Sequence, residues 1–212
     1  MKLVVFDCDS TLSAIEGIDE LARLRGADTF KKIESLTNAA MNGKVPIDDI
    51  FSRRLEIIQP DEKSCQGVGQ MYIDHVEPTA QATLKTLRES GWTPVIVSGG
   101  FTQVIEPFAK YLGINRIEAV PLNFDSSGAY TGFDTTAPPT RNGGKPEIIA
   151  MLKAEFQPEK IVMVGDGISD LETQEEVDLF IGFGRYAKRD RVVQEATHFI
   201  NSLEELPALL AE

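Results

Sequence analysis

Short apolar runs that stop abruptly at acids, serines or glycines restrict the fold of this chain more than any other feature. Four of them, Leu3–Phe6, Thr93–Val97, Lys160–Val164 and Leu179–Phe183, lack the polar alternation of a half-solvated sheet. Strands covered on both faces read this way, so the runs are expected to be buried parallel strands. Helix-like stretches separate them. Thr79–Ser90 is followed by Gly91 and Phe101–Leu112 by Gly113; Lys145–Phe156 and Ser202–Leu210 are also amphipathic. Glycine just beyond an amphipathic run is a stop signal. Strand and helix in alternation predict an α/β fold on a parallel sheet with right-handed crossovers.

The segment from Ser13 to Glu77 breaks the alternation. It offers helical stretches at Ile15–Leu24, Phe30–Met41, Pro46–Ile58 and Glu62–Val76, without a convincing strand. It is too long for a crossover and reads as an inserted helical subdomain. The expected division is a core of residues 1–12 and 78–212 with the insertion at 13–77. Leu122–Phe124 and Ala129–Thr131 flank Asp125–Gly128 and predict a β-hairpin. Thr135–Gly144 is a loop by composition.

With 42% apolar and 25% charged residues, the 212-residue chain has ordinary globular composition. Its 33 acids against 21 Lys and Arg leave a net charge of −12, which disfavours nucleic acid and anionic lipid as partners. The apolar run after Met1 stops at Asp7, too soon for a signal peptide or a membrane span. A cytoplasmic protein, monomer or homodimer, is expected, with Cys8 and Cys65 as free thiols.

Ligands of open parallel sheets collect at the carboxyl ends of the strands. There this chain places Asp7-Cys8-Asp9-Ser10-Thr11, Ser98-Gly99-Gly100 and Gly165-Asp166-Gly167-Ile168-Ser169-Asp170, with Lys145 opening the helix before the third strand. The set suits phosphoryl transfer. Mg²⁺ takes oxygen ligands, one or two of them carboxylates, and Asp7 and Asp166 can supply these. Phosphate needs fixed donors: the Ser98 hydroxyl, the Lys145 ammonium and the amides of Ser98-Gly99-Gly100 opening a helix. Residues two apart on a strand face one side, so Asp7 and Asp9 can share a pocket. One would attack phosphorus and the other move the proton.

These segments resemble the four motifs of the haloacid dehalogenase superfamily, in its phosphatase branch. The resemblance extends to the phosphoserine phosphatase family through Glu16–Ala22, Ala40–Pro46, Arg54–Pro60 and Gly182-Phe183-Gly184. It implies a Rossmann-like core, a helical cap inserted after the first strand, one Mg²⁺, and hydrolysis of O-phosphoserine to serine and phosphate. It further implies that Asp7 is the nucleophile and that Asp9 is the acid and base, with its backbone carbonyl on the metal. Asp166 would be a metal ligand, with Asp170 behind it. Ser98, Gly99, Gly100 and Lys145 would hold the phosphoryl group. Glu16 would meet the substrate ammonium and Arg54 its carboxylate, with Met41 and Ser169 lining the pocket. Ile47 stands where the family commonly has an aromatic residue, and Ser169 where Asn or Thr is usual.

Other readings stay open at this level. Another small phosphomonoester, such as a methylthio-sugar phosphate or phosphohomoserine, would use the same core motifs, in hydrolysis or phosphotransfer. A phosphoaccepting receiver domain also gathers acids, a hydroxyl and a lysine around Mg²⁺. It lacks both an acid two residues beyond its phosphorylated Asp and a long helical insertion. His75 and His198 are expected at the surface, Cys8 in the core, and Arg185, Lys188, Arg189 and Arg191 on a solvated face.

Overall fold

The computed structural model of the protein describes residues 1–41, 44 and 47–211, with the backbone alone at residues 40, 41 and 47–49. Strand β1 (Lys2–Phe6) runs through the centre. Its Leu3 and Val5 enter one buried cluster, while Val4 and Phe6 enter the other. Successive strand side chains point to opposite faces, so a strand covered on both sides carries no polar alternation.

The chain then leaves the sheet for α1 (Gly17–Leu24), α2 (Ala27–Met41), α3 (Ile47–Ile58) and α4 (Glu62–Asp74). The two ends of this excursion are tied together. Ser13 and Val76 form an antiparallel bridge, the Ala14 N–H donates to the His75 carbonyl at 2.9 Å, and the Glu77 N–H to the Leu12 carbonyl at 2.8 Å. Next come α5 (Ala80–Glu89), β2 (Trp92–Phe101), α6 (Thr102–Leu112) and β3 (Arg116–Val120). Helix α4 packs along α6, with the Tyr72 and Phe108 ring centroids 5.6 Å apart. The expected hairpin forms as β4 (Leu122–Phe124) against β5 (Tyr130–Phe133). The chain closes with α7 (Gly144–Phe156), β6 (Lys160–Gly165), α8 (Ile168–Leu171), β7 (Leu179–Phe183), α9 (Asp190–Glu195), β8 (His198–Ile200) and α10 (Leu206–Leu209).

The six-stranded sheet has the order β3-β2-β1-β6-β7-β8, and every pairing in it is parallel. The α/β reading therefore holds. The chain winds outward from β1 in both directions, which opens a crevice at the carboxyl end of β1. Among the described residues, no helix is long and apolar enough to cross a membrane.

Three expectations are corrected. Strands β3 and β8 went unforeseen because both are edges: Arg116-Ile-Glu-Ala-Val carries two charges, and β8 has only three residues. Ser202–Leu210 is not one helix but a 3₁₀ turn, Leu203–Glu205, followed by α10; Pro207 has no N–H to continue the ladder. The strand expected to end at Val97 continues to Phe101, with a register shift against β3 between those residues.

Candidate active site

The crevice is built first by the way β1 ends. After Phe6 the chain enters a wide turn, Cys8–Leu12, closed by the Ser13 N–H donating to the Cys8 carbonyl at 3.0 Å. Ser10 adopts φ 51°, a left-handed conformation uncommon for a residue with a side chain. Asp7 and Asp9 therefore do not share a pocket through strand alternation, as expected from their spacing; the turn brings them together. Both line one pocket with Ser98, Gly99, Gly100, Lys145, Asp166 and Ser169, and Glu16, Phe51 and Arg54 reach the same pocket from the insertion. Cys8, between the two acids, is buried in the core as expected. Burial, together with Asp9 and Asp7, pushes its thiol pKa up.

Asp7 Oδ1 accepts from the Cys8 N–H at 2.8 Å and lies 2.9 Å from Lys145 Nζ. Lys145 Nζ also donates to Asp170 Oδ1 at 2.6 Å. Burial works against the ammonium, but Asp170 and Asp7 outweigh it and raise the Lys145 pKa. The other oxygen of Asp170 accepts from the Gly167 N–H at 2.8 Å. This fold-back requires glycine at 165, where a Cβ would lie 2.3 Å from Asp170 Cγ. Burial, then the charge of Asp7, pushes Asp170 up to about 7. Asp166 accepts from Thr11 Oγ1 at 3.3 Å and from Arg189 Nε at 3.1 Å. Burial and Glu16 raise its pKa well above the usual carboxylate range, against the pull of Arg189.

One carboxylate oxygen from each of Asp7, Asp166 and Asp170 lies within 4.8 Å of the others. Three desolvated acids presenting only oxygen donors fit a hard divalent cation. Asp170 has both oxygens engaged by Lys145 and Gly167, which suits a place behind the ligands rather than among them.

Asp9 is held differently. Its Oδ1 accepts from the Tyr72 hydroxyl and from the Gly17 N–H, each at 2.5 Å, and its Oδ2 lies 3.4 Å from Ser98 Oγ. Burial, then Glu16 and Asp7, push Asp9 up to about 7, the range in which a carboxyl serves as both acid and base near neutrality. Ser98 is fully buried. The expected amide cradle at a helix opening is corrected here. Strand β2 runs through these residues, and the Gly100 N–H is engaged by Ser98 Oγ at 3.0 Å.

On the insertion side, Glu16 Oε1 accepts from Ser10 Oγ at 2.6 Å, and burial raises the Glu16 pKa. Arg54 is 5% exposed. Its Nη1 donates to Thr37 Oγ1 at 3.2 Å, and Thr37 in turn donates to Asp19 Oδ1 at 3.0 Å. Among the described residues, Arg54 Nε is buried with no hydrogen-bond partner. The side chain of Met41 lies outside the described residues.

Arg189 overturns the expected solvated basic face. Arg185, Lys188 and Arg191 are exposed, but Arg189 is 7% exposed, bonded to Asp166 and 4.0 Å from Glu16. Nothing in the spacing of four neighbouring cations marks the one that turns inward. Tyr72 was missed as well, because an aromatic residue in an amphipathic helix reads as core. His75 and His198 are exposed, as expected.

Comparison with known proteins agrees with this geometry. A family model for haloacid dehalogenase-like hydrolases matches residues 1–178. A phosphoserine phosphatase of Bos taurus is 37% identical over 211 residues, covering 99% of this chain and 93% of its own. A phosphoserine phosphohydrolase-like protein from Francisella tularensis superposes with a TM-score of 0.88 at 26% identity, covering 99% of this chain and 100% of its own. A phospho-aspartyl intermediate analogue of phosphoserine phosphatase superposes at 0.87 with 25% identity, covering 98% of each chain. The chain belongs to the haloacid dehalogenase-like hydrolases and, within them, to the phosphoserine phosphatase family.

Proposed function

We propose that this protein hydrolyses O-phosphoserine to serine and phosphate through an aspartyl-phosphate on Asp7. The Cys8 amide and Lys145 hold Asp7 Oδ1, leaving Oδ2 to attack phosphorus. As the bond to the serine oxygen breaks, Asp9 gives that oxygen a proton. Asp9 then takes a proton from the water that displaces Asp7 from phosphorus. Ser98 and Lys145 hold the phosphoryl oxygens, beside Gly99 and Gly100. Asp7, Asp166 and the Asp9 carbonyl would hold Mg²⁺, with Asp170 behind them, and the cation would neutralise phosphoryl charge. Residues 13–77 act as the cap over a core of 1–12 and 78–212. Two buried free cysteines support a reducing, cytoplasmic setting.

What favours an amino-acid substrate is Arg54, whose buried Nε lacks a partner among the described residues, at a pocket that also holds the acids. An unpaired buried donor costs about 1–3 kcal/mol, and a substrate carboxylate would satisfy it. Glu16 lines the same pocket, and among the described residues both its side-chain contacts fall on Oε1, so Oε2 is left for the ammonium. Ser169 lines the same pocket; Met41 is assigned to its wall from the resemblance alone.

Phosphate release from a panel of small phosphomonoesters with Mg²⁺ tests the reading, and phosphoserine should be turned over fastest. Arg54→Ala should lose about 2–5 kcal/mol of binding on this substrate, roughly thirtyfold or more in kcat/KM. Hydrolysis of p-nitrophenyl phosphate, which has no such head group, should stay within about twofold. Equal phosphoserine rates for wild type and Arg54→Ala would remove the amino-acid reading and leave a generic phosphomonoesterase.

The acid cluster makes a second prediction. At a Mg²⁺ concentration about 100 times its Kd, stability should rise by about 2.7 kcal/mol, roughly 5–10 °C in Tm for a chain of this size. Calorimetry with Mg²⁺ and with excess chelator measures it. An unchanged Tm sinks the metal assignment.

A further inference from the structure

We propose that Tyr72 is a positioning residue for the acid–base step, holding Asp9 so that Oδ2, not Oδ1, carries the exchangeable proton; this depends on the role given to Asp9 above. Tyr72 belongs to α4, is fully buried, and is locked by the packing of its ring against Phe108 of α6. Its hydroxyl and the Gly17 N–H both donate to Asp9 Oδ1, each at 2.5 Å. A carboxyl oxygen that already accepts two short hydrogen bonds is the poorer place for a proton, which would point at two donors. The acid proton therefore belongs on Oδ2.

Oδ2 faces the reacting group. It lies 3.4 Å from Ser98 Oγ, and a Cβ on Gly100 would come within 3.0 Å of it, so it borders the residues assigned to the phosphoryl oxygens. In the first half-reaction, Asp7 bonds to phosphorus, the bond from phosphorus to the serine oxygen breaks, and that oxygen takes the Oδ2 proton. In the second, water bonds to phosphorus, the bond to Asp7 breaks, and Oδ2 takes the water proton. Asp9 thus returns to its starting state. The competing view is that Asp9 merely satisfies a buried phenol, since a buried Tyr hydroxyl needs some partner.

Tyr72→Phe keeps the ring and removes the hydroxyl. On phosphoserine, kcat should fall about tenfold or more, the scale of a hydrogen bond to a charged group, with KM within about twofold. The burst of nitrophenolate from p-nitrophenyl phosphate, whose leaving group needs little protonation, should change by no more than about twofold. Both substrates are measured on one preparation, so their ratio is independent of the folded fraction. Gly17→Ala reaches the same contact from the other side, because its Cβ would lie 2.2 Å from the Tyr72 hydroxyl, and should give the same split. An equal fall on both substrates, or an unchanged kcat on phosphoserine, overturns the proposal. Asp9→Asn, measured alongside, identifies the cause. A split there without one in Tyr72→Phe removes Tyr72 alone, whereas no split in either removes the acid–base role of Asp9.

Discussion

Asp7→Asn should lose turnover on every phosphomonoester, by about 10⁴- to 10⁶-fold, the range seen when a covalent nucleophile is removed. The substitution keeps the size of the side chain, and an amide still accepts from the Cys8 N–H that holds Asp7 at 2.8 Å. What disappears is the nucleophilic oxygen and the negative charge beside Lys145. Lys145 retains Asp170 at 2.6 Å, so the fold should survive. Intact-mass spectrometry after an acid quench should find phosphate on the wild type during turnover and none on the variant. A variant that keeps more than about one hundredth of wild-type activity would exclude Asp7 as nucleophile.

Asp9→Asn should cost about 10²- to 10⁴-fold on phosphoserine, the usual contribution of a positioned acid–base group. The burial that pushes Asp9 up to about 7, with Glu16 and Asp7 adding to it, leaves a protonated fraction available at neutral pH. Asn can occupy the contacts with Tyr72 and Gly17 but cannot give the serine oxygen a proton. Nitrophenolate leaves without one, so phosphorylation by p-nitrophenyl phosphate should be largely spared. Breakdown of the phospho-enzyme still lacks its base, so rapid mixing should show a burst followed by slow turnover. If Asp9→Asn abolishes phosphorylation by both substrates while Asp7→Asn retains turnover, the two roles are reversed.

The parallel core, the helical excursion after β1 and several residues of the pocket were legible in the amino-acid order alone. Buried strands need unbroken apolar runs, so Leu3–Phe6 and Leu179–Phe183 announce themselves, and the polar residues that end such runs fall at the functional edge of the sheet. Asp7, Asp9, Ser98 and Asp166 were legible for that reason, and they line one pocket with Lys145, which opens α7, and Ser169, which follows β6. Edge strands β3 and β8 were not legible, because a strand with one neighbour tolerates charge and brevity.

Which distant side chains meet depends on how the elements pack. Thr11 reaches Asp166 across 155 residues, and Tyr72 reaches Asp9 across 63. Arg189 turns into the site while its basic neighbours stay in solvent. Periodicity reports whether a residue is buried on its own element. It carries no information on which partner waits there, because that depends on the packing of elements that are remote in the chain.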